Sequence, residues 1–168
     1  MKNRGFTLLE VMVTLTIFVI LVMLAVPSFS SLMRDSRMTT NANDIVTSLN
    51  YVRSEAVARN VSVAMLKQGA VNNTWDGGWQ IFTDFDNDGV LDVVDGDTLL
   101  KVHEAMPIGF TLRTTGSATR VTYSATGSSN VAVTFRLCGE NADINYSKSI
   151  IVSFLGRVRV AEGTLICP

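Results

Sequence analysis

An aspartate-rich segment, residues 84–95, has the residue types and the spacing of a calcium-binding loop. Such a loop supplies oxygen ligands from its first, third, fifth, ninth and twelfth positions and has glycine, here Gly89, at the sixth. The five candidate ligands are Asp84, Asp86, Asp88, Asp92 and Asp95. Because aspartate replaces the usual glutamate at the last position and no helical pattern flanks the segment, an acidic hairpin loop that binds no metal is the alternative.

Two arginines near the carboxyl end, Arg157 and Arg159, alternate with valines directly after a glycine. Gly156 between two β-type runs predicts a tight turn, and alternate residues of the following strand share one face. We expect both arginines to project together while Val158 and Val160 face the core. Paired guanidinium groups can contact phosphates, whereas on an edge strand they can also serve only to prevent edge pairing.

The charge of the chain is unevenly distributed. Its 14 Lys and Arg and 15 Asp and Glu residues give a net charge of −1, which excludes bulk basicity as the means of binding a polyanion. Residues 113–168 hold six basic and three acidic side chains, whereas residues 34–112 hold six and eleven. A nucleic-acid site would therefore be a local patch at the carboxyl end.

No motif typical of an enzyme is present in the sequence. His103 is the single histidine, and the nucleophile-elbow, zinc-protease and phosphate-loop motifs do not occur. Paired carboxylates occur only in the aspartate-rich segment, which does not indicate tuned acid and base groups. We expect a protein that is not an enzyme and that has no cofactor other than the candidate calcium ion.

The amino-terminal segment is strongly apolar. Residues 11–33 contain no charged side chain, and about 20 such residues suffice for a helix to cross a bilayer. Glu10 interrupts the apolar character, and a carboxylate there requires a partner unless it lies at the membrane interface. Pro27 should kink the helix or melt it locally. We expect residues 6–33 to form a membrane-spanning helix.

The pattern over residues 34–60 predicts an amphipathic continuation of this helix. Apolar residues recur at alternating spacings of four and three, which is typical of one buried helix face. They are Met38, Ala42, Ile45, Leu49, Val52 and Ala56. The helix should end near Asn60, where β-branched residues begin.

Residues 61–168 predict a β-rich head domain, because short β-type runs alternate with turn residues. The candidate strands are Val61–Lys67, Trp79–Thr83, Thr98–His103, Phe110–Thr114, Arg120–Tyr123, Val131–Leu137, Ser149–Phe154 and Arg157–Val160. Their spacing predicts a meander of antiparallel strands on the second half of the helix, an α+β fold.

The first residues resemble the processing and assembly signal of type IV pilins and type II secretion pseudopilins. The signal reads Gly5-Phe6-Thr7-Leu8-Leu9-Glu10, followed by an apolar helix and a proline. The resemblance implies that prepilin peptidase removes residues 1–5 by cutting after Gly5 and methylates the new terminus at Phe6. It also implies that Glu10 neutralises the terminal ammonium of a neighbouring subunit when helices leave the inner membrane for a filament.

Three further segments resemble the GspH/FimT family. They are Asn50-Tyr51-Val52-Arg53-Ser54-Glu55-Ala56, Gly78-Trp79-Gln80-Ile81-Phe82 and Phe154-Leu155-Gly156-Arg157-Val158-Arg159-Val160. The resemblance implies a type IV pilin-like fold, with a long amino-terminal helix packed on antiparallel β-sheets. It implies an inner-membrane protein with a periplasmic head that later joins a pilus at the cell surface with other pilin subunits.

Residues 156–159 match the GRxR motif that is associated with DNA binding in FimT-type minor pilins during natural transformation. The resemblance implies that Arg157 and Arg159 contact backbone phosphates, positioned by Gly156 and assisted by Lys148, without reading base sequence. The alternative is a structural or priming minor pilin, or a type II secretion pseudopilin, that does not bind DNA.

The two cysteines, Cys138 and Cys167, fall in the part that would lie outside the cytoplasm. We expect a disulfide between them, since no CxxC or zinc-ligand cluster is present. A disulfide between these two cysteines would stabilise the folded state by roughly 3.5 kcal/mol in the chain-entropy account, because it restricts the unfolded chain. The bond would also hold the segment that carries Arg157 and Arg159.

Overall fold

The computed structural model describes residues 5–71, 73–139, 146–163 and 167, without the side chains of residues 24–28. Helix α1 spans Leu8–Arg59. Eight strands follow within these ranges: β1 Val63–Lys67, β2 Trp79–Thr83, β3 Leu99–His103, β4 Thr111–Thr114, β5 Arg120–Tyr123, β6 Val133–Cys138, β7 Ser147–Val152 and β8 Val158–Glu162. The chain divides into two compact units, residues 1–36 and residues 37–168, and we describe each by itself.

The first unit is helical from Leu8 onward. Thr7 caps this helix, because its Oγ1 accepts a hydrogen bond of 3.2 Å from the backbone N–H of Glu10. The described large apolar side chains of the unit are exposed, with values between 40% for Val22 and 81% for Phe6. Over the described residues, no helix combines the length and the apolar character that crossing a membrane requires, so the predicted membrane-spanning helix over residues 6–33 is not confirmed.

The second unit begins with the amphipathic part of α1. All six residues of the predicted stripe are buried, with exposures of 0–2%. The helix ends at Arg59, and Asn60 takes a positive φ of 56° that turns the chain away. Asparagine tolerates this left-handed conformation better than most residues, which makes it a suitable helix terminator. The predicted helix face and helix end are both confirmed.

The strands form two four-stranded antiparallel sheets. The first sheet has the order β3-β2-β1-β5 and the second has the order β4-β6-β7-β8. The eight predicted strands are present with ends that differ by at most two residues. The predicted single meander is wrong, because β4 and β5 are neighbours in the chain but pair in different sheets, β5 with β1 and β4 with β6.

One apolar core joins the helix stripe to both sheets. Trp75 packs edge-to-face on Phe135 of β6 with 5.0 Å between the ring centroids. Its indole N–H donates to the Ala118 carbonyl at 3.1 Å, so the polar edge of the ring is satisfied inside the core. This contact fixes the inner face of the second sheet, whereas Arg113, Arg136 and Ser149 on its outer face are half-buried.

A disulfide joins Cys138, the last residue of β6, to Cys167. The expected pairing is therefore present in the structure. The bond encloses β7 and β8 in a covalent loop with a sequence separation of 29 residues.

We expect the denatured full-length chain to take up no thiol-alkylating label before reduction and two labels after it. Reduction should lower the free energy of unfolding of the second unit by roughly 3.5 kcal/mol, because the unfolded chain regains the freedom that the loop removes. Mass spectrometry and thermal unfolding followed by tryptophan fluorescence measure the two effects. Labelled thiols in the unreduced protein would contradict the pairing.

Candidate functional site

The turn between β7 and β8 positions the two carboxyl-terminal arginines. Gly156 donates its N–H to the Ser153 carbonyl at 2.8 Å, and Ser153 donates its N–H to the Arg157 carbonyl at 3.0 Å. The Ser153 hydroxyl accepts a further bond of 3.2 Å from the Arg157 N–H. The predicted tight turn is present, and Arg157 lies just before β8 rather than inside it.

Gly156 lies where no other residue fits. Its φ is +74°, and a Cβ would overlap the carbonyl oxygen of Gly127 in the loop after β5. The ring of Tyr123 and the guanidinium of Arg53 lie against the same point. Arg53 of α1 also donates to the Leu155 carbonyl at 3.4 Å. The turn is thus fixed by contacts from the helix and from the other sheet.

Tyr123 contacts this turn, and its side chain is uncharged. Its side chain is fully buried, and its hydroxyl has no hydrogen-bond partner among the described residues. Burial raises the pKa of Tyr123 to about 12, against the opposing effect of the Arg53 charge. The tyrosine therefore adds no negative charge near the arginines at any physiological pH.

The second sheet carries arginines on its outer face. Register places Arg136 of β6 directly opposite Arg113 of β4 on one side and Ser149 of β7 on the other. Ser149 is opposite Ala161 of β8, and Arg159 lies two residues before Ala161 on the same face. The opposite face is buried in the core. Three of the four strands therefore each contribute an arginine to the outer face of this sheet.

These arginines differ in how far their charge is compensated. Arg113 forms an ion pair with Asp76. The Nε of Arg136 is buried without a hydrogen-bond partner in the described part of the chain. Arg157 and Arg159 are exposed, and neither side chain forms an ion pair or a hydrogen bond with a described residue. We call Arg136, Arg157 and Arg159 the arginine face.

Lys148, expected to assist the arginines, lies elsewhere. It shares the inner face of β7 with Ile150 and Val152, and its ammonium pairs with Glu162 at 2.9 Å. The prediction that it joins the arginines is wrong, because strand alternation directs it to the other side of the sheet.

Val158 is half-buried and packs against the core, as expected. Val160 lies opposite Ile150, so it is on the inner side of β8 as expected, but it remains 43% exposed. Strand β8 is at the edge of its sheet, where fewer neighbours cover a side chain.

The sequence counts Arg136 among the six basic side chains of residues 113–168 but does not place it, and it does not connect Arg53 with the turn at Gly156. The alternation in β6 could have indicated that Arg136 faces outward, but its place beside Arg159 depends on strand register. Arg53 is far from the turn in the chain, and no local signal connects the two.

The aspartate-rich segment connects β2 to β3. Asp84 is fully buried, while Asp86 and Asp88 are exposed. Each of the three offers a carboxylate oxygen within 4.8 Å of the others. Asp92 and Asp95 are exposed and do not belong to this group, so the five-ligand set expected from the spacing is reduced to three.

Asp97, not predicted from the sequence, anchors this loop. It is buried, and its two carboxylate oxygens accept bonds from the N–H groups of Phe85 at 3.0 Å and Asp92 at 3.2 Å. The carboxylate that closes the loop therefore lies two residues beyond the predicted twelfth position, Asp95.

His103 has a packing role in the described structure. Its ring stacks on buried Trp79 with 3.9 Å between centroids, and its Nδ1 lies 2.8 Å from the Glu104 carbonyl.

Comparison with known proteins places the chain among pilins. The family model described as type II transport protein GspH matches residues 41–156, and the prokaryotic N-terminal methylation motif matches residues 1–26. No curated protein matches the chain significantly.

Two proteins of known structure are similar in fold. The type IV minor pilin FimU of Pseudomonas aeruginosa is 19% identical, and its two crystal forms give TM-scores of 0.64 and 0.67. These matches cover 77% and 79% of this chain and 99% and 96% of those chains. The minor pseudopilin EpsH of the Vibrio cholerae type 2 secretion system is 11% identical with a TM-score of 0.53, over 75% of this chain and 97% of that chain.

A long amino-terminal helix with a methylation motif, followed by antiparallel sheets, defines an α+β protein of the type IV pilin class. Because the GspH model matches more than half of the residues, the chain belongs to the GspH family and is a GspH/FimT-like minor pilin or pseudopilin. Proteins of this family are structural subunits rather than enzymes, and they assemble with other pilin subunits.

We expect Gly156→Ala to lower the free energy of unfolding by about 3 kcal/mol or more, because it adds a backbone overlap to the cost of a left-handed residue. Gly163→Ala is the matched control, since Gly163 has φ +76° but open space around it, and should cost about 1 kcal/mol. Thermal unfolding of the full-length variants measures both. Equal losses in the two variants would show that the contact with Gly127 is unimportant.

Proposed function

We propose that this minor pilin binds DNA through the arginine face without sequence specificity, and so serves DNA uptake in natural transformation. The observation that carries the proposal is the pair Arg157 and Arg159, which are exposed and uncompensated among the described residues. They lie beside a turn held by contacts from α1 and the loop after β5.

The spacing of the arginine face suits a phosphate backbone. Alternate residues of a strand lie about 6.7 Å apart, and DNA has one phosphate per about 3.4 Å of axis on each strand. Arg136 is two strands away from β8, which corresponds to about 10 Å across the sheet. The three guanidinium groups therefore support contact with several phosphates along one backbone.

The same geometry favours weak binding without base recognition. Three phosphate contacts give a slope of log affinity against log salt of about −2 to −3, and non-specific dissociation constants lie at about 10⁻⁴–10⁻⁶ M. Contacts between guanidinium groups and phosphates position DNA but carry no information about its base sequence. Several copies in one filament would raise the effective affinity by avidity.

A purely structural role as a priming minor pilin or type II secretion pseudopilin is the second candidate. The turn that precedes Arg157 exposes two large apolar side chains, Phe154 at 63% and Leu155 at 71%. Exposed apolar residues of this size suit contact with a neighbouring subunit. In that case the arginines would surround a protein interface instead of contacting DNA.

The amino terminus supports processing and assembly in either case. We propose that prepilin peptidase cuts after Gly5, that Phe6 becomes the methylated terminus, and that the inner membrane holds residues 6–33 before assembly. The exposed apolar side chains of this unit support the proposal, because they require lipid or other subunits to cover them. Glu10 is exposed at the first turn of α1, where a neighbouring ammonium would neutralise it.

For DNA binding, Arg157→Ala/Arg159→Ala should weaken the affinity of the full-length chain in detergent by at least about tenfold, and should lower the salt slope by about two, because two phosphate contacts are lost. Arg136→Ala should lower the slope by about one. Fluorescence anisotropy with a labelled mixed-sequence duplex at two salt concentrations measures both quantities.

Lys148→Ala is the control for this experiment. It also removes one positive charge, but from the inner face of β7, so its affinity should stay within about twofold of the unchanged chain. A Lys148 variant as weak as the double arginine variant, or a double variant that binds normally, would contradict the proposed face. In cells, a strain that carries the double arginine variant should have a lower transformation frequency than the unchanged strain, with normal pilus assembly.

For assembly, Glu10→Ala should reduce the amount of the subunit in sheared filaments by about tenfold or more, because the terminal ammonium of the neighbour stays unpaired in an apolar environment. Cleavage after Gly5 should be unchanged. Thr16→Ala on the same helix, which loses only a hydroxyl bond to the Met12 carbonyl, should assemble normally. Normal incorporation of the Glu10 variant would exclude this role.

A further inference from the structure

The loop after β2 holds three carboxylates close enough to share one cation. Asp84, Asp86 and Asp88 each offer an oxygen within 4.8 Å of the other two. Oxygens that bind the same Ca²⁺ at 2.3–2.6 Å cannot lie further apart than about 4.6–5.2 Å. The three groups therefore satisfy the distance limit for one shared ion.

Asp84 supplies an independent sign of a missing partner. Its side chain is fully buried, and its Oδ2 has no hydrogen-bond partner among the described residues. A buried carboxylate oxygen without a donor is a feature that native proteins rarely leave uncompensated.

The backbone of the loop orients all three carboxylates in the same manner. One oxygen of each accepts a loop N–H: Asp84 from Gly89 at 3.2 Å, Asp86 from Asp88 at 3.2 Å, and Asp88 from Val90 at 2.7 Å. The second oxygen of each carboxylate has no partner within the described structure. Six to eight oxygen ligands are typical of Ca²⁺, and water can complete the set on the exposed side.

The positive charge of Arg120 does not take the place of a bound cation in this loop. Arg120 of β5 donates to the Asp88 carbonyl, and the absence of a Cβ at Gly89 provides the space for its guanidinium. It forms no ion pair with any of the three carboxylates. The arginine therefore binds the loop through the backbone carbonyl of Asp88 rather than through the three carboxylates.

We propose that Asp84, Asp86 and Asp88 bind one Ca²⁺ ion, which orders the loop between β2 and β3. The expected dissociation constant is about 10⁻⁴–10⁻³ M, the range of extracellular calcium modules. Mg²⁺ binds less well, because it requires a compact octahedral set at 2.0–2.1 Å and releases water reluctantly. The site is independent of the arginine face, so either can fail without the other.

The test is thermal unfolding of the full-length chain in detergent, with and without about 5 mM CaCl₂ at constant ionic strength. Binding in this affinity range should raise Tm by about 3 °C or more. Asp86→Ala/Asp88→Ala should abolish the shift, because it removes two of the three ligands on exposed residues whose replacement leaves the core intact. Calorimetric titration with Ca²⁺ should show binding heat in the unchanged chain and none in this variant.

Asp92→Ala/Asp95→Ala is the matched control. It removes the same charge from the same loop but lies outside the three-carboxylate group, so the Tm shift should persist. An equal shift with MgCl₂, an equal loss in the control variant, or no shift with calcium would overturn the proposal.

Discussion

The packing of one face of α1 under two sheets is the constraint on which the rest of the second unit depends. The six stripe residues, from Met38 to Ala56, are almost completely buried and belong to the same core as the inner residues of both sheets. Burial of apolar area is the main favourable contribution to folding. Once the inner faces are committed to the core, every alternate residue of the strands in the second sheet is directed outward.

Both candidate sites result from this packing: the arginine face is on an outer surface, whereas the aspartate loop begins at a buried position. The arginine face lies on the outer side of the second sheet, where Arg157 and Arg159 are exposed to water. The aspartate loop begins with a carboxylate directly after β2, and Asp84 is buried because it continues a buried strand. An acidic group forced inside by its position in the chain needs a counter-charge, while an arginine on an outer face does not.

Local patterns predicted what depends on neighbours in the sequence. The helix stripe, the eight strands and the turn at Gly156 each follow from spacing within a few residues, and the structure contains all of them. What depends on register or on long-range packing was missed or wrong. Lys148 and Arg136 lie on opposite faces of the second sheet, and Asp97 rather than Asp95 closes the acidic loop. No spacing rule contains that information, because it is set by which strands pair and where the core ends.

The disulfide has a mechanical consequence for the strand that follows the arginine turn. An edge strand is hydrogen-bonded to one neighbouring strand only, so a force applied near one of its ends can break these hydrogen bonds one after another. Strand β8 is such an edge, and Arg157 and Arg159 lie at its start. Beyond its other end, Cys167 is covalently joined to β6. A force that pulls β8 away from β7 can therefore break the hydrogen bonds between the two strands, but the disulfide limits how far β8 can move from its sheet.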